Sequence, residues 1–172
     1  MIFWIASYPK SGNTWIRTLI SSYYYTKDGI FNESKIHNID QFPQKKYFKD
    51  FKYDQTIVND TARLWLEAQK KINSDKRLRF FKTHNVFGNL NGNPFTDNTN
   101  SIGAIYVVRD PRNVITSLKN HYELNDNQAY SWMIDENNYI YDTNNFEKDG
   151  YSDFQFISSW STNYKSWKFQ KK

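Results

Sequence analysis

The sequence predicts an α/β fold in which a central parallel sheet is flanked by helices. Three observations carry that prediction. Apolar runs suited to buried strands recur at residues 2–6, 78–81 and 102–108. Segments with helical spacing lie between them. Polar residues able to do chemistry follow each run directly: Lys10, then Lys82 and His84, then Arg109. Strands alternating with helices imply a parallel sheet, and such sheets bind ligands beyond the carboxyl ends of their strands.

Each element has its own warrant. Residues 1–8 are bulky and apolar, as a buried strand requires. A helix over 15–25 follows, with Asn13 or Thr14 as its N-cap. Its spacing puts Trp15, Ile16, Leu19, Ile20 and Tyr23 on one broad face. Residues 26–58 show little regular pattern and are read as a loop-rich excursion forming a substrate-side lid. A helix over 59–72 carries Ala62, Leu64, Trp65, Ala68 and Ile72 as its apolar set. Residues 78–84 form the second strand, and residues 85–101, with two Gly and one Pro, form a loop. Residues 102–108 are almost entirely apolar and read as a central parallel strand. Pro111 suits the first turn of a helix running from 112 to 122. Another helix is expected over 128–137. Asp153 is expected to cap a last one carrying Phe154, Ile157, Trp160, Tyr164 and Trp167. No repeat or linker divides the chain, so residues 1–172 read as one domain.

Composition narrows the function classes. Aromatic residues make up 19% of the chain, so much of the core must be aromatic. Mean hydropathy is −0.85 and the net charge +5. Basic residues gather at Lys45, Lys46, Lys49 and Lys52, at Lys76, Arg77, Arg79 and Lys82, and over 165–172. These suit either an anionic ligand or an ordinary solvated surface. The aromatics fall at core-facing spacings rather than among the basic clusters, which argues against a nucleic-acid surface. There is no cysteine, so thiol chemistry, disulfides and Cys-based metal sites are excluded. The run at 2–6 is too short for a signal or membrane segment and has no basic region before it. The default is therefore a cytoplasmic protein with no membrane partner.

Three segments carry chemistry. Residues 7–15 pass from strand through a tight turn into a helix, presenting backbone N–H groups, Lys10, Ser11 and Thr14 to an anion. This is not the Gly-x-x-x-x-Gly-Lys nucleotide loop, because Lys10 precedes the single Gly12. With no evident Mg²⁺ ligand set, a small-molecule kinase is a weak alternative. Trp15 is either a stacking platform for a base or a core residue. Lys82-Thr83-His84 places a histidine at a strand end, where a neutral ring can take a proton from a hydroxyl, though a structural role is also open. His37 and His121 have no comparable setting and read as surface or structural residues. Arg109 leaves the third strand and Ser117 lies two turns into the next helix, so both can reach one phosphate. The competing reading pairs Arg109 with Asp110.

Together the three segments resemble the sulfotransferase family whose soluble members use 3′-phosphoadenosine 5′-phosphosulfate (PAPS). Residues 8–15 look like its 5′-phosphosulfate loop, with Asn13 where the family usually has Thr. Residues 81–84 look like its catalytic-histidine segment, and residues 108–117 like its 3′-phosphate element. The resemblance implies a three-layer, P-loop-like fold and transfer of a sulfuryl group to a hydroxyl or amine. It implies that Lys10 stabilises the leaving phosphate, that Ser11, Gly12, Asn13 and Thr14 bind the 5′-phosphosulfate, and that Trp15 stacks on adenine. Arg109 and Ser117 would hold the 3′-phosphate, His84 would be the general base, and Lys82 would steady the transferring group. No metal is implied. Family members continue into a Gly-rich Arg-Lys-Gly segment after the last helix, so this chain is expected to be C-terminally incomplete. An unpaired sheet edge and exposed apolar helix faces would follow. The alternative function is a non-catalytic nucleotide-binding remnant, or a fragment needing a partner. The acceptor is a small molecule, set by residues 26–58 and 85–100. Phe42, Tyr47, Phe48, Phe51, Phe87 and Phe95 there either line an apolar pocket or belong to the core.

Overall fold

The computed structural model describes residues 1–141 and 153–168. The chain runs β1 (Ile2–Ser7), α1 (Asn13–Tyr25), β2 (Asp40–Gln41), α2 (Trp65–Ile72), β3 (Arg79–Thr83), β4 (Asn89–Leu90), β5 (Asn93–Pro94) and β6 (Ser101–Val107). It continues through α3 (Pro111–Tyr122), α4 (Asp126–Ile134), β7 (Tyr139–Ile140), β8 (Gln155–Phe156) and α5 (Trp160–Lys168). Four strands form one all-parallel sheet in the order β2-β3-β1-β6. The fold is α/β, with helices on both faces of the sheet.

Alternation along β1 divides the core. Ile2, Trp4 and Ala6 face one side, where Phe42, Phe48, Trp65, Phe81, Phe95, Phe154 and Trp167 complete an aromatic cluster. Ile5 faces the other, with Ile39 and Phe80, and Ile16 and Ile20 of α1 pack over them. Tyr8, Val114, Leu118, Met133 and Ile157 tie the end of β1 to α3 and α4. Each large apolar side chain fully withdrawn from water stabilises the fold by about 1.5–3 kcal/mol. An aromatic core therefore offsets the chain's polar composition. Phe42, Phe48 and Phe95 are at most 1% exposed, and Tyr47, Phe51 and Phe87 pack against the same cluster. These loop aromatics pack into or against the core.

Several expected boundaries move. Gly12, in the left-handed conformation at φ 99°, takes the N-cap position of α1 in place of Asn13 or Thr14, and no side chain caps the helix. The expected helix over 59–72 is a 3₁₀ segment, Asp60–Leu64, followed by α2. Residues 26–58 are not a detached lid: β2 joins the sheet edge, and Arg17 donates to the carbonyl oxygens of Ile36 and Ile39, at 3.3 and 2.6 Å, holding the approach to β2 against α1. α4 starts earlier than expected because Asn125 and Gln128 form a capping box.

The last helix begins at Trp160 rather than after Asp153, because residues 155–156 pair antiparallel with β7. Asp153 instead accepts from Thr61 Oγ1 at 2.9 Å. Among the described residues β6 lies at the edge of the sheet rather than inside it; Ile102, Ile105 and Val108 are exposed, as are Leu19 and Tyr23 on α1. Its apolar sequence on both faces is what suggests a central position.

Candidate active site

Because the four strands are parallel, their carboxyl ends lie together, and the polar segments that follow them converge. Between them is a cavity of about 490 Å³, within the usual range for small-molecule sites. Lys10, Gly12, Asn13, Thr14, Lys82, His84, Arg109 and Ser117 all line it. Its described lining includes three cationic side chains, Lys10, Lys82 and Arg109, and no carboxylate.

The first loop is held open from behind. Asn13 is buried, and its amide donates to the Ile5 carbonyl at 2.8 Å and to Ser7 Oγ at 3.1 Å. That ties the first turn of α1 to β1, and the first N–H groups of a helix have no intrahelical carbonyl to pair with, which suits them to an anion. Lys10 is also left-handed, at φ 64°, and Ser11 Oγ is buried with no hydrogen-bond partner. Ser11 and Trp15 do not line the cavity. Trp15 is 67% exposed at the start of α1, so the core reading of that residue is excluded.

His84 is fixed on every side. Its N–H donates to Gln155 Oε1 at 2.8 Å, and its carbonyl accepts from Asn163 Nδ2 at 3.0 Å. Nδ1 lies 2.7 Å from the Ser7 carbonyl oxygen. A carbonyl can only accept, so Nδ1 carries the proton and the lone pair sits on Nε2. Burial, then the positive charge of Lys82, holds the ring well below the ordinary histidine range, with the Ser7 carbonyl opposing. The ring is thus neutral near pH 7, with Nε2 left as a base.

Lys82 comes from β3 beside Gln41 of β2, in register, and donates to Gln41 Oε1 at 2.7 Å. Burial pushes its ammonium down to about 7, with Arg17 and Lys10 adding repulsion. Arg109 Nη1 donates to the Lys10 carbonyl at 3.1 Å, linking the first and third segments. The competing pairing with Asp110 is not made: that carboxylate is held by Arg112 at 2.5 Å and lies near the bottom of the carboxylate range through that contact. Ser117 reaches the cavity from α3.

Sequence reasoning misses five lining residues: Gln41, His121, Tyr122, Ile140 and Gln155. His121 was legible, standing four residues after Ser117 on the same helix face. Gln155 was hidden because its segment reads as helix.

Among the described residues, no helix is long and apolar enough to cross a membrane. Comparison with curated proteins finds no match. The sulfotransferase domain model matches residues 2–172, nearly the whole chain, and the strand-end segments stand together in one cationic cavity; the chain belongs to the sulfotransferase family.

Proposed function

We propose that this chain transfers a sulfuryl group from PAPS to a hydroxyl or amine of a small-molecule acceptor. The observation that carries this reading is the cavity at the strand ends, whose described lining holds Lys10, Lys82 and Arg109, no carboxylate, and a histidine of fixed tautomer. When bound, the donor supplies a sulfuryl group on a phosphate leaving group. His84 Nε2 takes the acceptor proton as the acceptor atom attacks sulfur and the bridging S–O bond breaks. Lys10, at the turn, neutralises charge gathering on the departing phosphate oxygen. Lys82 steadies the sulfuryl oxygens. Arg109 and Ser117 hold the 3′-phosphate, and the N–H groups of residues 12–14 hold the 5′ end. Trp15, exposed beside that loop, is available to cover the adenine. In-line positioning and charge stabilisation supply the rate, as in phosphoryl transfer.

Transfer of labelled sulfate from PAPS tests the reading. His84→Ala should lower kcat by about 10²- to 10⁴-fold, the usual worth of a positioned general base. Lys10→Ala should lower it by about 10²-fold or more, as loss of one preorganised charge does. Undiminished transfer by both variants contradicts the assigned roles.

A further inference from the structure

From the lining that remains once the donor groups are assigned, we infer that the acceptor is a neutral polyhydroxyl compound, a sugar or polyol, rather than an apolar phenol, an apolar alcohol or an amine. This rests on the proposed function and specifies its second substrate. Among the described residues, the loop aromatics expected to line an apolar acceptor pocket pack on the core instead, with Phe42, Phe48 and Phe95 fully withdrawn from solvent. The cavity that holds His84 is lined instead by Gln41, Gln155 and His121, with Tyr122 and Ile140 the only large apolar groups in the described lining.

The polar groups are built in rather than incidental. Gln41 Oε1 is committed to Lys82, so the donors it offers a ligand are the two on Nε2. Gln155, itself buried, secures the backbone of His84. His121 stands one helical turn beyond Ser117 and presents a ring able to donate or accept. A polyol answers such a lining group by group: its hydroxyls pair with amide and imidazole, and its C–H face lies on a single ring such as Tyr122. An apolar phenol entering here leaves the Gln41 amide and the His121 ring without a hydroxyl to bond, and a site built to bond hydroxyls rejects analogues that lack them. An ammonium acceptor finds no carboxylate in the described lining and faces the cations Lys10 and Arg109.

Initial rates of labelled sulfuryl transfer from PAPS decide the matter, measured with methyl β-glucoside and inositol against 2-naphthol and 4-nitrophenol. Saturation-transfer NMR of the same four compounds with adenosine 3′,5′-bisphosphate present reads binding apart from turnover. The proposal expects a polyol to bind and to be labelled with kcat/KM about tenfold or more above either phenol. His121→Leu, which leaves Lys82 and its Gln41 contact alone, should raise KM for the polyol with kcat nearly kept. Gln41→Leu should raise KM and lower kcat together, because it also releases Lys82. Stabilisation of each variant by the bisphosphate confirms that it is folded. If the bisphosphate binds but the phenols are preferred, or neither polyol binds, the acceptor inference is overturned while the donor reading stands. If the bisphosphate itself fails to bind, the donor reading fails and takes this one with it.

Discussion

Lys82 shows how a single residue couples burial to function. Its ammonium is desolvated and faces Arg17 and Lys10, so it releases its proton near pH 7 when folded, against 10.5 as a free side chain. Between those values the unfolded chain holds more protons, so this residue makes stability rise as pH increases from about 7 towards 10. Below about 7 the buried charge costs the fold a few kcal/mol. Lys82→Met should therefore flatten that rise and stabilise the protein most on the acid side, as read by urea melts at about pH 6.5, 8 and 9.5. An unchanged slope in the variant would show that Lys82 is not the group responsible. The natural residue keeps a destabilising charge at the one place where an anion would stabilise it, which is how a site trades stability for function.

At the scale of elements, the turn between β1 and α1 matters most. Gly12 sits at φ 99°, and a Cβ there would meet no other atom within 4 Å. The cost of Gly12→Ala is thus backbone strain alone, about 1–3 kcal/mol. A fall of that size in denaturant melts, with weaker nucleotide binding, is expected; no change would mean the turn relaxes freely. This turn was legible in the sequence because strand, lysine, glycine and helix are adjacent along the chain. The carboxyl-end placement of His84 and Arg109 was legible for the same reason. What escaped reading depends on pairing between distant segments. Gln41 joins the site only because β2 adds to the edge of β3, and two strand residues carry too little periodicity to be seen. Gln155 and Phe156 read as the start of a helix because their apolar neighbours have helical spacing, yet pairing with Tyr139 and Ile140 extends them. β6 read as central because its sequence records hydrophobicity and not the number of its neighbours.

The whole molecule brings positive charge to one end of a parallel sheet, with no carboxylate in the described cavity lining. Lys10, Lys82 and Arg109 come from three different segments of the chain, so a bound polyanion cross-links the fold and must stabilise it globally. The central claim is that this cluster is a nucleotide site. The most direct measurement is the thermal unfolding of the protein with and without adenosine 3′,5′-bisphosphate, beside an Arg109→Ala variant. At about a hundred times its dissociation constant the ligand should add about 2.7 kcal/mol, which for a chain of this size raises Tm by about 5–10 °C. The account predicts that shift in the natural protein and its loss in the variant. A folded natural protein whose Tm does not move, or a variant that shifts equally, would contradict it.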